Sequence, residues 1–316
     1  MKKAKNKILI IDGNNLLYRA YYKYTNMRSQ SGLLSSIVYG FPYVLKGMLT
    51  MHSPDDVIVV FDGGRHEHRM KIYPAYKGDR KQKLNFDKED FYNQRDQVIK
   101  ILDYLGVKHV KMKGQEADDI IWMLAKKLKR ENHVVIVSSD KDFKQLISEN
   151  VSVYSPKEEK RFHIQNIETE LGFPLKRYVD YLILDGDVSD NIKGLVGVGA
   201  VRAKDFISKT ESISKYLINK QEEIKSFERS RLEPVFLLNR QLIDIRLFCR
   251  RYLKGLRVQI NIPERKIKKK KLAFICSRYD ITTFIKPDFL KAFEKLLTKN
   301  QNIKTWQKCS SWDLLE

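Results

Sequence analysis

Cysteine is scarce in this 316-residue chain: Cys249, Cys276 and Cys309 are widely spaced, odd in number and form no CxxC pair. Neither a disulfide framework nor a zinc ribbon is indicated, and a reducing cytoplasm fits. Long hydrophobic runs are missing too. No apolar stretch approaches the roughly 20 residues that a membrane span needs. The N-terminal MKKAKNKILIID has an apolar run too short for a signal peptide and ends on Asp12, so it reads as a first buried strand. Acids are outnumbered, with 39 Asp and Glu against 60 Lys and Arg, for a formal net charge of +21. That excess is the electrostatic footprint of a nucleic-acid binder, although basic ribosomal and membrane-surface proteins share it. At 42% hydrophobic residues the chain has ample material for a core, and its length allows roughly two domains.

Three short runs repeat one grammar: KILIID at 7–12, VIVVFD at 57–62 and VVIVSSD at 134–140 are apolar, rich in β-branched residues and closed by aspartate. Buried parallel strands read this way. Between them, Asn14 is expected to cap a helix carrying Leu16, Leu17 and Tyr21. Residues 33–51 are mostly apolar with a kink or break expected at Gly40 and Pro42. The stretch 111–129 is amphipathic, with Ile120, Ile121, Leu124 and Leu128 on one face. Strands alternating with helices predict an α/β fold with a mostly parallel central sheet flanked by helices. From about Pro174 onward the pattern turns helical, notably at 178–184 and 228–247. The expected division is an α/β core over 1–173, a helical domain over 174–290 and a tail over 291–316. In that tail Trp306 and Trp312 belong to an amphipathic closing helix or to a partner-binding motif. Region 65–95, with Tyr76, Lys77, Arg80, Lys81 and Lys83, reads as a long polar segment, functional or mobile. The run KIKKKK at 266–271 is a solvated patch or a DNA contact.

In an open parallel sheet, ligands bind outside the carboxyl ends of the strands, where Asp12, Asp62 and Asp140 would all sit. Any one of them alone reads as a helix N-cap after a strand. Three together point to a shared site, and Glu116, Asp118, Asp119, Asp142, Asp187 and Asp190 extend the set. Carboxylates a few ångströms apart raise one another's pKa values, so a common site requires divalent cations to keep them ionised. No histidine or cysteine lies in these motifs, which selects Mg²⁺ or Mn²⁺ over Zn²⁺. Two such ions would activate a water and neutralise the leaving oxygen of a phosphodiester. On a regular helix Glu116 and Asp119 share a face while Asp118 is rotated away. Glu116 therefore has to precede the first helical turn, which Gly114 permits, leaving Asp119 as a supporting or capping residue.

The stretch 185–206, DGDVSDNIKGLVGVGAVRAKDF, joins two more acids to a glycine hairpin. Asp187 and Asp190, at i and i+3, would share the face of one helical turn. Gly194, Gly197 and Gly199 permit positive φ and close backbone approach. A helix starting near Ala200 would aim its N–H groups outward beside Arg202 and Lys204, a phosphate-gripping arrangement. The plainer alternative is an ordinary tight turn.

The motifs DGNNLLYRAYY, VFDG, YPAYKGDR, GQEADDI, SSDKDFKQL and GDVSDNIKGLVGVGAVRA, in this order, resemble the 5′ nucleases. That family includes the N-terminal nuclease domain of bacterial DNA polymerase I, bacteriophage 5′ exonucleases and ribonucleases H, and flap endonucleases. The resemblance runs from about residue 7 to 287 and suggests a stand-alone, phage-type form, since no polymerase domain follows. It implies that Asp62, Glu116, Asp118 and Asp140, with Asp12 close by, serve one metal ion, and Asp142, Asp187 and Asp190 a second. It further implies that Tyr18, Arg19, Lys77 and Arg80, beside Tyr76, handle the DNA end. The hairpin would then be a helix-three-turn-helix element that grips duplex backbone and holds a monovalent ion such as K⁺. The implied substrates are DNA with 5′ flaps, nicks or ends and RNA/DNA hybrids, handled by a monomer during replication. A single-stranded-DNA-binding protein or polymerase would be its partner. Two rivals remain: a non-cleaving junction binder, which would lack metal-site acids, and a PIN-type ribonuclease, which would lack the glycine hairpin.

Overall fold

Three consecutive runs of β-branched residues, buried on both faces, set the frame of this computed structural model, which describes residues 5–78, 86–219, 227–299 and 312–313. The first half runs β1 (Asn6–Asp12), α1 (Gly13–Lys23), α2 (Ser36–His52), β2 (Asp56–Phe61), α3 (Glu67–Ile72), α4 (Lys88–Leu105), β3 (Lys108–Lys111), α5 (Ala117–Leu128), β4 (Asn132–Val137), β5 (Val151–Ser155) and β6 (Lys160–Phe162). The strands form one sheet in the order β3-β2-β1-β4-β5-β6, parallel except for the last pair. The order reverses between β1 and β4, and the crevice at such a reversal is where ligands enter open α/β sheets.

Alternation along the strands separates two cores. Ile8, Ile10, Ile58 and Val60 face one, which α5 fills with Ile120, Ile121 and Leu124. Leu9, Ile11, Val57 and Val59 face the other, with Leu16, Phe41 and Leu102 from α1, α2 and α4. Both faces are thus covered by helices, which is why the strands read as unbroken apolar runs.

The second half is mainly helical: α6 (Ile167–Leu171), α7 (Tyr178–Asp185), α8 (Ala200–Lys209), α9 (Ile213–Ile218), α10 (Arg229–Ile243), α11 (Ile245–Tyr252), α12 (Lys269–Arg278) and α13 (Pro287–Lys299). Two-residue strands β7 (Gly186–Asp187) and β8 (Ile192–Lys193) pair with each other, as do β9 (Arg257–Val258) and β10 (Trp312–Asp313). Leu182, Phe236 and Phe248 carry α7, α10 and α11 onto the first core, while Leu272 and Phe293 carry α12 and α13 back onto the second. No described helix is long and apolar enough to cross a membrane.

Several expectations change. Asp12, not Asn14, caps α1, because the chain turns into helix directly at the strand end and the Asp12 carboxylate accepts the Asn15 amide at 3.0 Å. Helix α2 runs through Gly40 and Pro42 without interruption. Gly40 serves close packing there, since a Cβ would stand 2.8 Å from Ala20 and 2.6 Å from the Tyr24 ring. Region 65–95 is not one long loop: α3 and the start of α4 occupy it, and only 79–85, with Arg80, lies outside the described residues. The run 228–247 breaks at Asp244, whose carboxylate caps α11 through the Leu247 amide at 2.9 Å. In the tail, α13 is the amphipathic helix, with Phe289 and Phe293 buried, and Trp312 extends a strand beside Val258; Trp306 lies outside the described residues.

Candidate metal centre and nucleic-acid site

Each strand end beside the reversal delivers an acid whose backbone is fixed by its neighbours. Asp12 closes β1 and, besides Asn15, accepts the Ser138 hydroxyl from the end of β4 at 2.7 Å. Asp62 follows β2, accepting the Ala117 amide at 2.7 Å and donating its own amide to Asn14 at 3.1 Å. Asp140, three residues beyond β4, caps the 3₁₀ turn of 141–146 by accepting the Asp142 amide at 2.8 Å. Asp12 and Asp140 are therefore N-caps, while Asp62 holds the first amide of α5 from the end of β2. Glu116 is the N-cap of α5 with extended backbone, φ −82° and ψ 146°, so it leaves the helical face that mid-helix geometry would impose.

Crowding is written into the electrostatics. Burial pushes Asp12 up to about 7 against its hydrogen bonds, and repulsion from Asp62 and Asp140 adds to the rise. Withdrawal from water, then Asp140, raises Asp118 well above the carboxylate range. Asp140 itself is raised by burial, with Asp187 and Asp190 adding to it. Burial and then Asp140 and Asp187 raise Asp142, whose Oδ1 is buried with no hydrogen-bond partner. The interactions tie Asp12, Asp62, Asp118, Asp140, Asp142, Asp187 and Asp190 into one network.

Glu116 behaves differently. Its Oε2 accepts Lys77 Nζ at 2.8 Å and the Tyr76 hydroxyl at 2.9 Å, and Arg69 stands 3.5 Å away. Although burial opposes ionisation, Arg69 and Lys77 bring the Glu116 carboxyl down to about 2. Lys77 also lies 3.7 Å from Asp190, and its buried ammonium is held charged by Glu116 and Asp190 against the cost of burial. Its backbone is left-handed, φ 54°, and its amide donates to the Asp190 carbonyl at 2.9 Å. The Tyr76–Lys77 turn is thus docked onto the acids.

Asp119 does not face the other acids, contrary to its place in the sequence-derived set. It is fully buried and both oxygens take Arg69, at 2.6 and 2.8 Å, because its helical position turns it toward α3 and the Phe248 ring that Arg69 covers. Asp187 and Asp190 are adjacent through the β7–β8 turn and not through a helical turn: Asp187 Oδ1 accepts the Ser189 amide at 2.7 Å and the Asp190 amide at 3.2 Å. Tyr76 is 2% exposed, so its ring is core and only its hydroxyl reaches the site. Tyr18 is 37% exposed and stacks on Phe91 at 4.6 Å, leaving part of its ring to solvent beside half-buried Arg19.

The hairpin keeps its expected start, with α8 beginning at Ala200 after the N-cap Gly199. Gly194 is required by close approach, since a Cβ there would meet the Leu184 carbonyl at 2.3 Å. Gly197 has φ 80° with nothing within 4 Å of a Cβ, so its need is conformational. Arg202 reaches back to the Gly197 carbonyl at 2.8 Å, and Lys204 points to solvent.

Sequence reasoning missed Lys141, which links Asp185 at 3.2 Å and Asp187 at 3.9 Å, and Ser138, which bridges Asp12 and Asp140. Both lie inside the SSDKDF motif, the signal that could have flagged them. Arg69, a lone arginine in a polar stretch, carries no such signal.

Among the described residues no three of these side chains already stand as a ligand set for an ion. Glu116 is turned to Lys77, Asp62 to the Ala117 amide and Asp12 to Ser138. The donor set still fits hard divalent cations: it is all oxygen, its carboxylates repel one another, and Asp142 Oδ1 lacks a partner.

The family described as 5′-3′ exonuclease, N-terminal resolvase-like domain, matches residues 7–172. The 5′-3′ exonuclease of Buchnera aphidicola subsp. Schizaphis graminum is 32% identical over 274 residues, covering 85% of this chain and 93% of that protein. DNA polymerase I of Mycobacterium tuberculosis is 32% identical over 253 residues, but the match spans 77% of this chain and only 27% of the polymerase. In fold, the bacteriophage T5 flap endonuclease, solved as a pseudo-enzyme–product complex with DNA and metal ions, superposes with TM-score 0.67 at 19% identity, covering 92% and 99% of the two chains. Flap endonuclease-1 of Methanococcus jannaschii superposes with TM-score 0.60 at 19% identity over 94% of each. With its acids gathered at the sheet reversal and a sequence match spanning nearly the whole Buchnera protein, the chain belongs to the 5′-3′ exonuclease family and is a 5′ nuclease.

Proposed function

We propose that this nuclease is a divalent-metal-dependent, structure-specific 5′-3′ exonuclease and 5′-flap endonuclease acting on DNA and on RNA primers annealed to it. The observation that carries the reading is the gathering of acids at the β1/β4 reversal, where Ser138 joins Asp12 to Asp140 and Asp142 Oδ1 is buried without a hydrogen-bond partner. Asp62, Glu116, Asp118 and Asp140, with Asp12 beside them, would hold one Mg²⁺ or Mn²⁺, and Asp142, Asp187 and Asp190 a second. Bound ions supply charge neutralisation and an activated water. Asp119 acts through Arg69, which braces Glu116 from behind.

The chain's own cations handle the strand. Lys77 exchanges Glu116 and Asp190 for the scissile phosphate, where Arg80 joins it, and charge developing on the phosphate is stabilised by both. Tyr18, with its partly exposed ring, stacks a base at the unpaired end, and Arg19 holds the adjoining phosphate. Residues 174–290 form the DNA-binding region around a helix-three-turn-helix element. There Gly197, Gly199, Arg202 and Lys204 grip duplex backbone without base readout, and a K⁺ ion can seat on the hairpin carbonyls. Residues 1–173 form the nuclease core and 291–316 the tail. A monomer recruited by a single-stranded-DNA-binding protein or polymerase completes the picture. The T5 flap endonuclease was solved with DNA and metal ions, which supports both substrate and cofactor class.

The test is incubation with Mg²⁺ on matched 5′-flap, nicked, single-stranded and RNA/DNA substrates. Release of products from the 5′ side at the junction, abolished by EDTA, is expected. Equal processing of 3′ ends, or full cleavage in EDTA, would overturn the reading.

A further inference from the structure

At the opposite pole of the sheet from the acids lies a cleft of about 960 Å³. Its floor is the end of α5 at Ala125 and Lys129, its rim the start of β5 at Val151, and α7 enters it at Val179. The acidic network sits instead at the first turn of α5 and past the exit of β4, and none of its members lines the cleft.

Six cations surround this cavity: Lys126, Lys129, Lys176, Arg240, Arg246 and Arg250. The three carboxylates among its lining residues, Glu168, Asp180 and Asp244, each already serve the backbone. Glu168 accepts the Leu175 amide at 2.8 Å, Asp180 the Ile213 amide at 3.0 Å and Asp244 the Leu247 amide at 2.9 Å. Six cations against three carboxylates leave the lining with net positive charge. Lys126 registers the crowding, since burial, then Arg250, Arg130 and Arg246, depress its pKa. Between the cations the accessible walls are apolar at half-buried Ile164, Leu175 and Val179.

We infer that this cleft docks an acidic peptide segment carrying apolar residues, presented by a partner protein. Carboxylates would meet the cationic rim while aliphatic side chains fill the walls, the combination that gives steering and anchorage together. A nucleic-acid strand fits less well. Duplex phosphates lie on a convex surface that a recessed cleft does not follow, and single strands rely on exposed rings for stacking. The rings available here, Trp122 and Phe236, are only 7% and 6% exposed. The inference does not rest on the metal-site reading, because none of the acids of that site lines the cleft.

The test is fluorescence anisotropy with the full chain and a short fluorescein-labelled peptide of alternating aspartate and leucine. Comparators are an asparagine-leucine peptide and labelled oligothymidylate of matched charge. Saturable binding on the order of micromolar is expected, weakened about tenfold or more in the double variant Arg246→Glu, Arg250→Glu. Both residues are exposed, so the variant should keep its circular dichroism spectrum. Absence of saturable binding would overturn the inference. So would an asparagine peptide that binds as tightly, an affinity that the double variant does not change, or oligothymidylate bound as tightly and lost in the same variant.

Discussion

The two halves of the acidic site solve the same problem in opposite ways. At the sheet reversal, Asp12 is buried and Asp118, Asp140 and Asp142 are half-buried among other acids, and their pKa values rise, to about 7 for Asp12. Across the site, Glu116 is buried at least as deeply, yet Arg69 and Lys77 bring it down to about 2. One half carries its own cations and the other awaits them. In the proposed reading, the difference shows what each half waits for: divalent ions at the uncompensated acids, and a phosphate that draws Lys77 off Glu116 and frees that carboxylate for metal.

The comparison breaks most sharply at the uncompensated half. Asp140→Asn should lower cleavage of a 5′ flap by on the order of 10²–10³-fold or more while duplex affinity survives, since affinity comes from distributed Lys and Arg contacts. Parallel loss of binding in a gel-shift titration would place Asp140 in substrate grip and not in chemistry.

The compensated half is probed by Lys77→Ala. Single-turnover cleavage should slow by roughly 10²-fold, with a change of only a few-fold in the dissociation constant, as the proposed role of Lys77 at the scissile phosphate requires. Equal losses of rate and affinity would contradict that role.

A smaller effect belongs to the hairpin, which lies outside both halves. Gly197→Val forces a β-branched residue to φ 80°, a strain of about 1–3 kcal/mol, and should weaken duplex binding by about tenfold with the fold intact. An unchanged gel-shift midpoint would remove Gly197 from the DNA contact.

The strand-end half was readable from the amino acids because each apolar run stops on a carboxylate, and a parallel strand buried on both faces has no other way to read. Asp12, Asp62 and Asp140 followed from that pattern, and Glu116 leaving the α5 face followed from its helical spacing to Asp118 with Gly114 before it. In the compensated half Glu116, Tyr76 and Lys77 were named, but their pairing with one another and with Arg69 was not readable. Arg69 and Asp119 are 50 residues apart, and only folding shows that they consume each other. The same blindness hid β3, whose KHVK buries Lys108 against Asp56 at 2.8 Å and so looks polar in sequence. Helix α4 opens with the charged KED, so its first turns merged with the polar region before it. Asp187 and Asp190 were paired by correct spacing but for the wrong reason, a β-turn supplying what a helical turn was expected to give.

The central claim is that the strand-end acids need external cations, and pH is the lever. The pKa values of Asp12, Asp118, Asp140 and Asp142 are raised above the ordinary value of about 3.9, so in the metal-free fold their protonated forms contribute stability that is full below that value. This contribution is lost as pH rises through the folded values, about 7 for Asp12. Ions must therefore compete with protons at low pH and relieve repulsion at high pH. The direct measurement is calorimetric titration of Mn²⁺ into the full chain at pH 5 and pH 8, in two buffers of different ionisation heat to count protons. Binding should be at least about tenfold tighter at pH 8, with proton release near neutrality, and Asp140→Asn should weaken it. Equal affinity at the two pH values with no proton release, or no binding at either, would contradict the account.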